Sequence, residues 1–313
     1  MITKLQHLSK SLCLCAGVAM LAIPVAANAQ LPSLFPQPTA GPQSISVNFA
    51  TPISLSATEQ PGSWYPDRFP PCLFSAPATA PDGTKNTLEE SICASNYQTP
   101  APSFFNTQGR KLDLVANTTS ISIDLYGPAS WATTPQRAAG AWGTVIDNTG
   151  GVGDYPIIEF QGPITATSPV GPSLQANGGV AGFYGWDNTA NGGNGGFVYI
   201  GLPAGFQYNS WVTLTETLKP GVGFEYTVYD AQSHRGVSIQ SPLSDTADTA
   251  FSNEILEGYN YGNSYNIFWN NFSFVSSSFQ CSPKSNQPQQ QGGLFGLLGF
   301  LFQQQQKLIN HPW

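Results

Sequence analysis

The 313 residues carry a formal charge of −7, only 9% charged side chains, and 32 Gly and 26 Pro. With 11 Lys and Arg in total there is no basic stripe, which argues against a nucleic-acid partner. Charge this sparse also leaves few Lys and Glu for helix exteriors, while abundant Gly, Pro, Ser, Thr and Asn suit strands joined by many turns.

Lys4 and Lys10, an apolar stretch from Leu12 to Val25, and Ala27-Asn28-Ala29 have the form of a secretory signal peptide cleaved near Ala29. Residues 1–29 are therefore set aside, Cys13 and Cys15 with them, and a secreted or periplasmic protein is expected. No later apolar run reaches the ~20 residues of a spanning helix. Residues 30–43 form a Pro- and Gln-rich leader, and 44–281 the folded domain.

Ile45, Val47 and Phe49 alternate with polar neighbours as a first strand. The Pro-rich run 64–71 reads as a loop on the surface, because Pro cannot donate to a ladder. In an oxidising compartment Cys72 and Cys93 pair across the segment between them, a closure of about 3 kcal/mol. Cys281 is left single. Thr87, with Glu90 three residues on, has the capping-box spacing and predicts a helical turn over 87–92.

Strands are expected at 111–115 and 121–125, set off by turns at 106–109 and 117–119. Further pairs are expected at 140–146 with 156–160 and at 183–186 with 197–201. The clearest hairpin is 211–230. Val212, Leu214 and Leu218 alternate with Trp211, Thr213, Thr215 and Thr217; Phe224, Tyr226 and Val228 alternate with Glu225, Thr227 and Tyr229. Lys219-Pro220-Gly221 supplies the turn. Strands at 236–240, 253–259 and 265–274 complete an all-β, antiparallel two-sheet sandwich in one domain. The Gln-rich tail, 282–313, brackets an apolar run too short to span a bilayer and reads as disordered or loosely docked, suited to self-association or contact with the envelope.

Ser210 to Leu214, Gly223 to Asp230 and Tyr265 to Phe272 resemble the concanavalin A-like lectin/glucanase superfamily. Phe105 to Lys111, Ser122 to Tyr126 and Tyr155 to Phe160 resemble segments of uncharacterised secreted bacterial proteins. The resemblance implies a jelly roll with one concave sheet that holds carbohydrate. Parity then gathers Glu159, Tyr184, Trp186 and Tyr199, with Trp211, Glu225 and Tyr229 from the hairpin, into an acidic, aromatic face. Rings stack on sugars and carboxylates accept from hydroxyls, so a polysaccharide or glycan is the expected partner.

The first expectation is carbohydrate binding without catalysis; the second is a polysaccharide hydrolase or lyase; the third is a structural or adhesive envelope protein. The Glu-x-Asp-x-Glu string of the superfamily's hydrolases is absent, which leaves Glu159 and Glu225 as the candidate pair. His234 and His311 lie in no motif of the kind its lyases use. No cofactor is expected; Asp147 and Asp154, in a Gly-rich loop, are candidate ligands for a structural calcium ion, with spacing that matches no EF-hand.

Overall fold

A computed structural model describes residues 42–97, 106–135, 137–163, 179–193 and 195–277. The expected signal peptide, most of the leader, Cys281, His311 and the Gln-rich tail lie outside the described residues. In chain order the strands are β1 (Gln43–Ser46), β2 (Tyr65–Pro66), β3 (Leu73–Thr79), β4 (Lys85–Ile92), β5 (Thr107–Gly127), β6 (Ala138–Asp147), β7 (Val152–Asp154), β8 (Ile157–Gln161), β9 (Gly182–Asp187), β10 (Gly196–Gly201), β11 (Ser210–Lys219), β12 (Gly223–Asp230), β13 (Arg235–Pro242), β14 (Asp248–Tyr259) and β15 (Tyr265–Ser276).

Alternation organises them. Along β11 buried and half-buried residues follow each other without a break, and Val212, Leu214 and Leu218 face inward against Phe224, Tyr226 and Val228 of β12. A hairpin with one apolar face must cover it with a second layer. That layer is the sheet β10-β9-β8-β6-β14-β5, which contributes Phe183, Ile158, Phe160, Ala139, Ala141, Val145 and Leu256 to the same core.

The two layers share β5. Its first half pairs with β14, from Thr107↔Tyr259 to Asp113↔Asn253. Its second half pairs with β11 and β15, through Ser122↔Thr215 and Ser122↔Ser273. The change of sheet falls where Asn117 adopts a left-handed φ of 61°, a conformation Asn tolerates better than most residues. The second layer continues from β5 to β15, β4 and β3 on one side and to β11, β12 and β13 on the other.

Three local expectations are corrected. Residues 87–92 lie within strand β4, because Leu88, Glu90 and Ile92 alternate into the core and tertiary burial outweighs the capping signal. The expected turn at 106–109 lies within β5 from Thr107 on, and that at 117–119 lies wholly within it. The Pro-rich segment is anchored: Trp64 is buried, its ring 5.2 Å from Phe74 and 5.7 Å from Phe272. Cys72 and Cys93 form a disulfide with Cα atoms 6.0 Å apart.

Candidate functional site

On the outer side of the first sheet one line of register crosses five strands: Tyr199↔Tyr184↔Glu159↔Gly140↔Glu257, with Gly109 next on β5. Neighbours on such a line share a face. Ile158, Phe160 and Leu256, the adjacent residues in chain, point into the core, so Glu159 and Glu257 point out of the sandwich.

Gly140 and Gly109 make the space. A Cβ on Gly140 would sit 2.6 Å from Cβ of Glu159, and one on Gly109 would sit 2.8 Å from Cβ of Glu257. The two acidic side chains lean over bare backbone and hydrogen-bond to each other. They are 5% and 4% exposed.

Two carboxyls can share a hydrogen bond only if one holds a proton. Burial pushes Glu159 up to about 7, while Gln161 and Glu257 stabilise its charged form. Burial holds Glu257 far above the ordinary carboxyl range, with the charges of Glu159 and Glu90 adding to the rise and Arg68 opposing it. Both members are raised, mainly by burial, so the two carboxyls titrate as one coupled pair.

Gln161, two residues along β8 and on the same face, donates from Nε2 to Oε1 of Glu159 at 2.7 Å. The hydroxyl of Tyr261 donates to Oε1 of Gln161 at 2.9 Å. This network assigns the amide orientation: the phenol occupies its oxygen, so its N–H faces Glu159. Arg68 lies over the Trp142 ring at 4.8 Å and pairs with Asp67 at 2.7 Å. Tyr184 and Tyr199, with ring centroids 5.2 Å apart, and Trp186 against Phe197 at 5.3 Å form the aromatic flank.

The sequence-expected site divides between two faces. Glu159, Tyr184, Trp186 and Tyr199 lie on the face just described. Trp211, Glu225 and Tyr229 lie on the outer face of the second sheet. There Glu225 pairs with Lys219 at 2.9 Å, and the Trp211 indole donates to Asp82 at 2.8 Å. Glu159 and Glu225 therefore form no pair, since they belong to different sheets. The partner of Glu159 is Glu257, which sequence reasoning missed along with Gln161. Gln161 was visible by parity, two residues beyond Glu159.

The calcium candidates are engaged elsewhere. Asp147 accepts from the amides of Thr149 and Gly151 in its own turn. Asp154 accepts from Asn188 at 2.9 Å and from the amide of Ser244 at 2.8 Å. Among the described residues no group of three or more His, Cys, Asp or Glu is placed to hold a metal ion.

A second acidic pair lies inside the sandwich. Glu216 of β11 and Glu254 of β14, both fully buried, come from opposite layers. Glu254 sits across from Gly143 in register, and a Cβ on Gly143 would lie 3.0 Å from Oε2 of Glu216. Burial raises both well above the ordinary carboxyl range.

No family model and no curated protein matches the sequence. Among solved structures, a mutant of alginate lyase Aly36B in complex with alginate trisaccharide is 12% identical, with 77% of this chain and 100% of that one covered and a TM-score of 0.47. An endo-β-1,4-glucuronan lyase from the fungus Trichoderma reesei is 10% identical, covering 76% and 88%, at 0.35. A scytalido-glutamic peptidase with a peptide-based transition-state analogue is 9% identical, covering 52% and 71%, at 0.27. The chain is a jelly-roll β-sandwich.

The expectation of carbohydrate binding without catalysis is corrected. The solved structures similar to this jelly roll include polysaccharide lyases. The face expected to be an open sugar platform also holds, at its centre, a covered pair of carboxyls, both raised by burial.

Proposed function

We propose that this protein is an exported enzyme that cleaves an acidic polysaccharide by β-elimination, with Glu159 as base and Glu257 as acid. The observation that carries the reading is the contact between the two carboxyls. A retaining glycosidase holds its carboxyls about 5–5.5 Å apart across the bond, and an inverting one holds them farther apart to admit water. Carboxyls in hydrogen-bond contact span neither gap. Syn elimination, in which the C5 proton and O4 lie on the same face, needs only a base and an acid on one side of the sugar ring.

In that reaction the ionised Glu159 takes the proton on C5 of a uronate. The electron pair left on C5 forms the C4=C5 double bond, the C4–O4 bond breaks, and the Glu257 proton goes to O4. Glu159 is then protonated and Glu257 ionised. The hydrogen bond between them passes the proton back and restores the starting state. The C5 proton is acidic because the neighbouring carboxylate delocalises the developing charge, so the substrate has to be a uronate polymer. Arg68 places positive charge on the Glu257 side, where it opposes negative charge building in the transition state.

The test is ultraviolet absorbance of unsaturated uronate after incubation with alginate, polyglucuronate and a neutral glucan. Absorbance should grow with a uronate polymer alone and fall by about 100-fold or more in Glu159→Gln and Glu257→Gln. No absorbance with any uronate polymer, or full rates in both variants, would remove the proposal.

A further inference from the structure

We propose that the outer face of the second sheet carries a separate, non-catalytic binding site for a glycan chain, centred on a cleft beside β1, β4 and β15. The cleft has a volume of about 430 Å3, with Phe49 at its floor and Asn48, Lys85, Asn86, Asn270 and Asn271 among its walls. It lies on the opposite layer from Glu159 and Glu257, so the inference does not rest on the cleavage reading.

The chemistry of the walls selects the ligand class. An Asn amide offers two donors and an acceptor on one short arm, matching the mixed donor and acceptor character of sugar hydroxyls. Four of them converge here. Asn48 accepts the amide of Ala50 through its oxygen at 2.7 Å, and Asn270 accepts the amide of Asn271 at 2.9 Å. Their NH2 groups thus remain available as donors. Asn271 donates to Asp124 at 2.6 Å, which leaves its carbonyl as acceptor. Among the described residues the side chains of Lys85 and Asn86 make no ion pair or hydrogen bond, so the cleft has one uncommitted cation and one uncommitted amide.

The backbone aims these groups. Asn86 and Asn271 hold left-handed φ values of 60° and 47°. Each lies at a break in register, Asn86 opposite the Ala78/Thr79 break on the β3–β4 ladder and Asn271 between Asn270 and Ser273 on the β15–β5 ladder. Such bulges re-aim side chains at sheet edges and binding sites.

From the cleft the same face continues across β5 to β11, by the line Asn270↔Asp124↔Thr213. It reaches Trp211, half-buried against Tyr126 with ring centroids 5.3 Å apart. An amide-lined cleft followed by a ring platform suits several consecutive sugars, and Trp211 supplies the stacking surface.

The experiment is affinity electrophoresis of the full chain in gels cast with alginate, with a neutral β-glucan, or with neither. Glu257→Gln serves as the parent, so that the polymer stays intact. Retardation in at least one polymer gel is expected, with apparent affinity falling at least about fivefold in Lys85→Ala/Asn86→Gly and in Asn270→Ala. Glycine accepts the left-handed backbone at position 86, so that variant keeps the fold; circular dichroism checks it. Loss with Lys85→Ala/Asn86→Gly in alginate alone assigns the acidic polymer, and loss through Asn270→Ala in both gels assigns hydroxyl recognition. The inference is overturned if neither polymer retards the parent or if the folded cleft variants migrate as the parent does. Because the parent lacks the cleavage acid, retardation stands or falls independently of the elimination assay.

Discussion

Glu159 and Glu257 reach across Gly140 to share one hydrogen bond, and no side chain on the intervening strand separates them. Two acidic residues two strands apart on one face would ordinarily splay into water. Here burial raises both carboxyls, which lets the pair share a proton.

Gly140 is the first point to test. Gly140→Ala would place a methyl 2.6 Å from Cβ of Glu159 and 2.9 Å from the carbonyl of Ile158. Overpacking of this kind costs about 1–3 kcal/mol. A lower midpoint in urea is expected, together with loss of cleavage beyond what the lost stability explains. A variant with unchanged midpoint and rate would refute the glycine's role.

The buried acids make stability depend on pH in a definite direction. Glu159 is raised to about 7 and Asp248 to about 8, and Glu90, Glu216, Glu254 and Glu257 are also raised, burial being the largest cause in each. An acid whose folded pKa exceeds its unfolded value binds more protons in the native state. Its stabilisation is complete below about 4, the unfolded range, and is lost as pH rises through the folded value. Thermal unfolding should therefore shift to lower temperature between pH 5 and pH 8, a window set by these raised values. Glu216→Gln should flatten the trend. A midpoint that rises over that interval would contradict the buried, protonated arrangement.

Gln161 and Tyr261 should act through Glu159 rather than on substrate. Tyr261→Phe frees the amide to turn its oxygen toward Glu159, which removes a donor and should raise the pH at which the base ionises. The acid limb of the rate profile should move to higher pH, with a similar shift in Gln161→Leu. An unmoved limb in both would show that the chain of hydrogen bonds does not set the base.

The hairpin residues once grouped with the site provide the control. Trp211→Ala and Glu225→Gln alter the far sheet, where Trp211 meets Asp82 and Glu225 meets Lys219. Cleavage of short oligosaccharides should stay within about twofold of the parent, since the Glu225–Lys219 pair is a surface ion pair of small worth. A loss comparable to that in Glu159→Gln would return these residues to the catalytic face.

Side-chain parity was legible in the sequence, and sheet membership was not. The alternation around Ile158 and Phe160 correctly turned Glu159 outward, and that around Phe183 did the same for Tyr184 and Trp186. Nothing local says that β8 and β12 belong to opposite layers, because that follows from the passage of β5 between sheets at Asn117, a consequence of non-local pairing. Glu257 was hidden for a related reason: Ile255 and Leu256 are both apolar, so period two is blurred beside it. Glu216 was legible as the one acid in the inward row of Val212, Leu214 and Leu218, and its partner Glu254 became visible only through the packing of two layers. The capping-box spacing at Thr87 and Glu90 misled because Leu88, Glu90 and Ile92 all bury as a strand.

Digestion of a uronate polymer in heavy-oxygen water, followed by mass spectrometry of the released oligosaccharides, tests elimination by Glu159 and Glu257 most directly. Elimination adds no water across the bond, so the new non-reducing ends should be unsaturated and the products should carry no heavy oxygen from cleavage. Saturated ends with one heavy oxygen per cleavage would contradict the account and assign the paired carboxyls to hydrolysis.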